Sequence, residues 1–498
     1  MSKTASISAA KFSIAISYPP IPSPKGSPLL TQNRQFQWTN TGNHIYPVIP
    51  ASAATLLSKS GYQVYWDDAI STNLTPSVWF NQLLRRRPNL IVIETKTPVV
   101  KYHWQIIKKI KNHSSAHWSP IVVLMGDHVT AMPKESLQNS PVDYVLTGGD
   151  YDFMLQNLCD HLTHKTKLEP GFWYRSGKTI LTTGQFSLVH HQLDSLPIID
   201  RELTQWQLYA YHNNNYRYLP GAYIMSGRDC WWGKCAFCSW TTLYPGSQFR
   251  CFSVDRTVAE ITNLVDNFHV REIFDDSGTL PVGQWLDDFC HRLISTGLNK
   301  KIRFSCNLRF GSVTANQYQL MAKAGFRLIL YGFESANQTT LDRINKNNRV
   351  ENAEKDLKLA KRVGLQPHVT IMLGYPWETT AEINNTLYTA KSLFRQGLID
   401  SMQATIVIPY PGTPLFSDCK KQHLLLSTNW NDYDMRHPVI KTQLNPAEYP
   451  RLVQQLFKGI ITPKFMLNQV LSIRSFEDFQ HLLKYTYKFF QKLKDFSS

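Results

Sequence analysis

Short apolar runs alternate with helical stretches twice along this chain, and that double rhythm limits the possible folds more than any other feature. In the first half the strand-like runs are Phe12–Ser17, Gln63–Trp66, Leu90–Glu94, Ile121–Met125 and Tyr144–Leu146. Helical segments such as Ala51–Ser60 and Val100–Lys111 lie between them, and Gly61 stands where a helix C-terminus favours glycine. Regular alternation of this kind predicts an α/β fold, with a doubly wound parallel sheet over residues 1–164. Ligands on such sheets bind at the carboxyl ends of the strands. Those ends carry Tyr18-Pro19-Pro20, Thr95-Lys96-Thr97, Gly126-Asp127-His128 and Gly148-Gly149. Glycine and short polar residues there let backbone approach a bulky ligand closely.

The rhythm breaks over residues 165–220. Phe172–Arg175, Ser176-Gly177-Lys178 and Thr179–Thr182 read as a β-hairpin, and Leu196-Pro197 and Leu219-Pro220 as connector, so this stretch is expected to be a linker with a small hairpin. A second alternation starts at Ala222. Its strands are predicted at Ala222–Ser226, Glu272–Asp275, Arg303–Asn307, Leu328–Gly332, His368–Leu373 and Met402–Pro409. Helical stretches such as Val254–Phe268 and Ala381–Phe394 follow the first five. Six such units over 221–420 predict a partial (β/α)6 barrel with its chemistry on the loops after the strands. A helical C-terminal region is expected over 421–498. Its amphipathic, basic and aromatic end, His481–Phe496, either packs on the barrel or lies on a membrane surface.

The chain is 498 residues long and 43% hydrophobic, enough for real cores and for about two to four domains. No apolar run is long enough to span a bilayer. The first ten residues are polar and small, and the run at Phe12–Ser17 is too short for a signal-peptide core, so a cytoplasmic protein is expected. The net charge is +16. The densest basic groups are Arg85-Arg86-Arg87 and Lys108-Lys109-Lys111, without interleaved stacking aromatics, so no nucleic-acid partner is expected.

Three of the eight cysteines fall within nine positions, in Cys230-Trp-Trp-Gly-Lys-Cys235-Ala-Phe-Cys238. The loop directly follows the first strand of the second alternation. In a chain expected inside the cell, bunched cysteines point to metal rather than disulfides. The spacing suits three sites. One is structural zinc with Cys251 as fourth ligand. A second is a two-iron cluster with a distant fourth cysteine. The third is a four-iron cluster with three protein ligands, which leaves one iron open.

Further motifs end the later strands. They are Asp275-Asp276-Ser277-Gly278, Tyr331-Gly332-Phe333-Glu334-Ser335, Gly374-Tyr375-Pro376-Trp377-Glu378 and Pro409-Tyr410-Pro411-Gly412-Thr413-Pro414. With the cysteine loop and Phe237 before its last cysteine, they resemble the radical S-adenosylmethionine (SAM) enzymes that carry a cobalamin-binding domain. The usual family spacing is Cys-x3-Cys-x2-Cys, and this loop has one extra residue in the first interval. The resemblance covers about residues 12–420. It implies a Rossmann-like cobalamin domain, a radical SAM barrel, and a 4Fe-4S cluster on Cys230, Cys235 and Cys238. SAM would bind the open iron, and one electron would cleave it to a 5′-deoxyadenosyl radical that takes hydrogen from an unactivated carbon. Phe237 would pack near adenine, Glu334 and Ser335 would face the methionine or ribose end with Gly374 close by, and Arg309 would pair with the SAM carboxylate. Cobalamin would lie against Tyr18, Thr95, Thr97, Gly126, Asp127, His128, Gly148 and Gly149. An Asp-x-His-x-x-Gly motif is absent, so no histidine is expected to ligate cobalt from below. The resemblance further implies a small-molecule, natural-product or lipid substrate, an electron donor of flavodoxin or ferredoxin type, and most simply methylation of carbon. Cyclisation, rearrangement or oxidation is the alternative within the family, as in the anaerobic magnesium-protoporphyrin monomethyl ester cyclase. A non-catalytic electron carrier or cobalamin-binding module is the alternative outside it.

Overall fold

The computed structural model describes residues 12–30, 36–40, 42–188, 190–228, 230–244 and 248–460, with isolated positions 473, 479, 482, 483 and 486 beyond. The chain divides into two compact units. The first falls within Met1–His212, Ser239–Gly246 and Tyr410–Gly412, and the second comprises the rest.

The first unit is built on strands β1 (Ser13–Tyr18), β2 (Gln63–Asp68), β3 (Leu90–Glu94), β4 (Ile121–Met125) and β5 (Tyr144–Leu146), all parallel, in the order β2-β1-β3-β4-β5. This order places a topological switch between β1 and β3, the crevice where doubly wound sheets hold ligands. β1 and β3 are buried along their whole length. A strand covered by helices on both faces reads as an unbroken apolar run, as Leu90-Ile91-Val92-Ile93 does. The helix Val48–Lys59 begins with Val48, Ile49 and Pro50 buried.

The hairpin expected within residues 165–220 forms at Phe172–Thr182. Its strands β6 (Phe172–Ser176) and β7 (Thr179–Thr182) pair antiparallel and extend the same sheet beyond β5. Phe172 is fully buried and supplies the apolar contact that fastens the hairpin to Leu146.

The second unit carries six parallel strands in sequence order: β8 (Gly221–Ile224), β9 (Glu272–Asp275), β10 (Arg303–Leu308), β11 (Phe326–Glu334), β12 (Gln366–Leu373) and β13 (Ser401–Ile406). They match the partial barrel expected from the sequence. Helices between them start at capped positions. Ser253 accepts a hydrogen bond from the Arg256 amide before Val254–Phe268, and Thr379 with Glu382 forms a reciprocal box before Thr380–Arg395. β11 runs two residues further than its apolar pattern predicts, which carries Glu334 onto the end of the strand.

Residues 421–447 are less helical than expected. Between the helices Pro414–Lys421 and Glu448–Ile460 they hold one 3-10 turn, Trp430–Asp432, and a bridge between Leu425 and Ile440. Asn429, Asp432, Pro438, Asn445 and Pro446 interrupt any helical run there. His481–Phe496 falls, apart from isolated positions, outside the described residues. Among the described residues no helix is long and apolar enough to cross a membrane.

Candidate active site

In the first unit the expected residues gather at the carboxyl edge of the sheet, joined by charged groups that no sequence motif marked. Tyr18 Oη donates to Glu94 Oε2 at 2.6 Å, across the β1/β3 switch. Lys96 forms a buried ion pair with Asp127 at 2.8 Å. Burial pushes the Glu94 carboxyl up to about 7, although Lys96 and Tyr18 pull it down. Glu94 Oε1 and Tyr151 Oη are buried without hydrogen-bond partners. The Thr95 hydroxyl meets His103 Nδ1 at 2.8 Å, and burial lowers that imidazole to about 3, so it is neutral at physiological pH.

His128 is fully committed within the protein. Its Nδ1 meets Thr97 Oγ1 at 3.2 Å and its Nε2 meets Glu135 Oε2 at 3.1 Å.

The glycines of this edge are tightly packed by the protein itself. At Gly126, with φ of +133°, a Cβ would fall 2.1 Å from the Thr95 carbonyl oxygen. At Gly148 it would enter the Phe186 ring at 2.4 Å, and at Gly149 the Tyr244 ring at 2.2 Å. Protein atoms leave no room for a Cβ at these three positions. Gly412 also belongs to this unit, at φ of +85°, where a Cβ would approach Thr242 and Ala131 within 2.8 Å.

In the second unit the cysteine loop is held at both ends by neighbouring motifs. The Ser226 amide donates to the Asp275 carboxylate, and the Gly227 amide donates to Ser277 Oγ at 2.8 Å. Asp275 and Ser277 of the second-strand motif thus clamp the exit of β8. Further along, the Ala236 amide donates to the Ile344 carbonyl at 2.8 Å, and the Ala236 carbonyl accepts from the Leu415 amide at 2.9 Å. Phe237 and Cys235 pack among Leu341, Ile344, Met372, Tyr375 and Leu415.

Around the thiols the charge is positive. Burial raises the Cys230 thiol pKa and the neighbouring Cys235 adds to this, while the Gly233 and Trp232 amides and the Arg309 guanidinium favour the thiolate. Arg309 follows β10 and is buried, with Nη1 3.9 Å from Cys235 Sγ. It also donates to the Lys346 carbonyl and to Asn348 Oδ1, and lies over the rings of Trp231 and Trp232 at 5.3 and 4.9 Å. Arg309 is therefore buried and ties the cysteine loop to the Lys346–Asn348 segment.

Glu334, at the end of β11, has the left-handed φ of 62° and pairs with Lys346 at 2.7 Å. Burial opposes the charge on Lys346, but Glu334 and Cys235 outweigh it and the ammonium pKa is raised. Lys346 also stands over the Phe237 ring at 5.8 Å. Ser335 turns to a different partner: its hydroxyl donates to Glu378 Oε1 at 3.0 Å, as does that of Thr340 at 3.1 Å. Burial lifts the Glu378 carboxyl to about 7, and its Oε2 has no hydrogen-bond partner. Gly374, at φ of +97°, faces the Tyr449 ring, which a Cβ would approach to 3.2 Å.

Lys346, Asn348 and Glu378 escaped the sequence reading, as did Glu94, Lys96 and Tyr151 in the first unit. Glu378 belonged to a quoted motif, and Lys96 stood between two named threonines. Lys346 carried no signal, because its partners are remote in sequence. Among the described residues, no three His, Cys, Asp or Glu side chains converge as the donors of a single ion do.

Residues 224–389, which hold the thiols, Arg309, Glu334 and Lys346, match the model of the radical SAM superfamily. Apart from residues 239–246, the match lies within the second unit. It is 26% identical over 415 residues to an uncharacterized methyltransferase of Pyrococcus horikoshii, an alignment covering 82% of this chain and 86% of the relative. It is 24% identical to the anaerobic magnesium-protoporphyrin IX monomethyl ester cyclase of Cereibacter sphaeroides, over 77% of this chain and 62% of that one. Among solved structures it resembles the radical SAM methyltransferase TsrM of Kitasatospora setae, determined with cobalamin and a [4Fe-4S] cluster. The TM-score is 0.67 at 13% identity, covering 91% of this chain and 89% of that one.

Proposed function

We propose that this protein is a cobalamin-dependent radical SAM methyltransferase acting on an unactivated carbon of a small molecule. The observation that carries the reading is the cysteine loop, with its amides and Arg309 directed at thiols. Amide and guanidinium donors to sulfur are what a thiolate-bound cluster requires. Cys230, Cys235 and Cys238 would hold the cluster. A four-iron cluster takes each thiolate on a different iron, whereas zinc would draw every donor onto one ion. Cys251 lies in a two-residue ribbon opposite Gly227, which accounts for its position without a metal role.

When bound, the cluster supplies an electron to the SAM sulfonium and cobalamin supplies a transferable methyl group. The chain positions and shields. Arg309 neutralises charge at Cys235, Trp231 and Trp232 cover the guanidinium, and Phe237 and Tyr375 form an apolar wall beside the loop. Tyr18, Glu94, Thr95, Thr97, Asp127, Lys96 and Tyr151 would border cobalamin at the switch of the first sheet, with His128 withheld from cobalt by its two protein partners. Gly126, Gly148 and Gly149 would shape that border through the packing they permit. Ser335 and Gly374 would act indirectly, through Glu378 and the Tyr449 contact. Electrons would come from a flavodoxin- or ferredoxin-like donor.

The likeness to the cyclase supports a second reading, in which the same radical closes a ring without methyl transfer. Product analysis separates the two. A methyltransferase yields S-adenosylhomocysteine together with 5′-deoxyadenosine; a cyclase yields little of the former. Anaerobic reconstitution should give about four irons per chain. Cys230→Ala, Cys235→Ala and Cys238→Ala should each abolish SAM cleavage, and Cys251→Ala should preserve it. Tightly bound zinc as the sole metal, in protein that fails reconstitution, would overturn the reading.

A further inference from the structure

At the amino ends of β10 and β11, opposite the end that carries the cysteine loop, the second unit has a cavity of about 480 Å³. Its lining includes Asn299, Lys300, Arg303, Lys323 and Gly325, and no carboxylate. β10 spans six residues, about 20 Å at roughly 3.3 Å per residue, so the cavity is separate from the candidate active site. Gly325, at φ of +92°, lets the turn before β11 close on the helix Leu298–Lys301, since a Cβ there would fall 3.0 Å from the Asn299 carbonyl oxygen.

Three cations line this cavity, and the protein does little to neutralise them. Cationic side chains near helix C-termini ordinarily satisfy the last carbonyls. Among the described residues, the ammonium groups of Lys300 and Lys323 have no ion-pair or hydrogen-bond partner, whereas the adjacent Lys301 pairs with Asp266 at 3.5 Å. Arg303 uses Nη1 alone, on the Asn299 and Ile302 carbonyls at 3.3 Å each. The helix Ala315–Lys323 ends here with a partial negative charge of about half a unit, small against three full positive ones. The Lys323 carbonyl is satisfied by Asn299 Nδ2 at 3.0 Å. That bond fixes the orientation of the Asn299 amide, because the reverse would set oxygen against oxygen. Asn299 Oδ1 is then left buried without a hydrogen-bond partner, which is costly. The cavity thus combines unneutralised cations with an unsatisfied acceptor. A bare anion suits the first and is repelled by the second. An anion that also carries a hydroxyl suits both.

We propose that this cavity binds a small phosphate monoester that bears a hydroxyl group. The phosphate sits on Lys300, Arg303 and Lys323, and the hydroxyl donates to Asn299 Oδ1. Arg303 offers a guanidinium fork to two phosphate oxygens, and the lysines act as point charges. The volume falls within the roughly 300–1,000 Å³ of small-molecule sites. Phe326, also in the lining, is committed to the rings of Phe289 and Phe304 and to burial, so no aromatic face is offered to a nucleobase. A polyol or sugar phosphate therefore fits better than a nucleotide. The site owes nothing to the cluster, SAM or cobalamin, and it lies at the barrel end that the proposed chemistry does not use.

The test is isothermal titration calorimetry of the anaerobically reconstituted full chain, in phosphate-free buffer at about 0.15 M salt. The probes are glycerol 3-phosphate, propyl phosphate and inorganic phosphate. Glycerol 3-phosphate should bind once per chain, and roughly fivefold tighter than propyl phosphate, which has the same charge and no hydroxyl. Arg303→Gln and Lys323→Gln should each weaken it roughly tenfold or more, the worth of a charged hydrogen bond. Both side chains are exposed, and an unchanged Tm checks that the variants fold. Lys358→Gln, on another helix where Lys358 pairs with Glu354, should leave the affinity unchanged. No heat with any probe overturns the inference, as does a loss in Lys358→Gln as large as in Arg303→Gln, which would make the effect one of diffuse surface charge. Inorganic phosphate or propyl phosphate binding as tightly as glycerol 3-phosphate overturns the hydroxyl contact and with it the ligand class. SAM cleavage is no part of the readout, so failure here leaves the proposed function standing.

Discussion

His191 should make the first unit lose stability between about pH 6.5 and 9, and replacing it with glutamine should remove that loss. The imidazole is wedged between two carboxylates, with Nδ1 2.8 Å from Asp150 and Nε2 3.2 Å from Glu169. Phe153 stacks on it at 4.6 Å. Burial favours the neutral ring, but the hydrogen bonds and charges of Asp150 and Glu169 win, and the pKa rises from 6.5 to about 9. A histidine whose folded pKa is raised stabilises the fold fully below its unfolded pKa, and that contribution fades as pH climbs through the folded value. At 1.36 kcal/mol per pH unit, the displacement amounts to about 3 kcal/mol. Asp150 directly precedes the helix Tyr151–His164 and follows Gly148-Gly149, so the triad anchors the end of the sheet edge. The assay is urea unfolding of wild type and His191→Gln from about pH 6 to 10. With a urea slope of about 2–3 kcal/mol/M, the difference between their midpoints should shrink by about 1 M across the window. At low pH the variant should be much the weaker, because it leaves Asp150 buried without its cation. A constant difference across the window would refute the assignment of the charge to His191.

Three further outcomes follow from the geometry. His128→Ala should leave the visible spectrum of bound cobalamin unchanged, since both ring nitrogens already have protein partners; a shifted spectrum would make His128 a ligand. Gly126→Ala should destabilise the chain by about 2 kcal/mol or more even without any cofactor, because its Cβ meets the Thr95 carbonyl at φ of +133°, and an unchanged Tm would refute this. Glu378 has a folded pKa raised to about 7 from 4.5, so its ionisation costs stability progressively as pH rises through that window. Glu378→Gln should therefore gain on wild type between about pH 5 and 8, by at most about 3 kcal/mol, and a flat difference in urea midpoint would reject the buried-acid account.

The strands Leu90–Glu94, Ile121–Met125 and Tyr144–Leu146 could be read directly from the chain, because strands buried on both faces are near-continuous apolar runs bounded by polar turns. The cysteine cluster and the strand-end motifs marked the region that matches the radical SAM superfamily for the same reason: they are local, and local patterns survive in one dimension. Three things were beyond that reach. The hairpin at residues 172–182 looks the same in sequence whether it is free or paired, and only its antiparallel register against Tyr144–Leu146 makes it part of the sheet. The purpose of Gly148 and Gly149 depends on Phe186 and Tyr244, 38 and 95 positions away, whose rings fill the space a Cβ would need. Lys346 meets Glu334, Phe237 and Arg309 only because two strand ends and the cysteine loop converge on one edge of the sheet. Periodicity and spacing determine which elements form and which chemistry they can carry, since both follow from neighbours along the chain. Which charges meet, and which side chains fill the space beside a glycine, is decided by packing between residues far apart in sequence, and no pattern within a single segment encodes it.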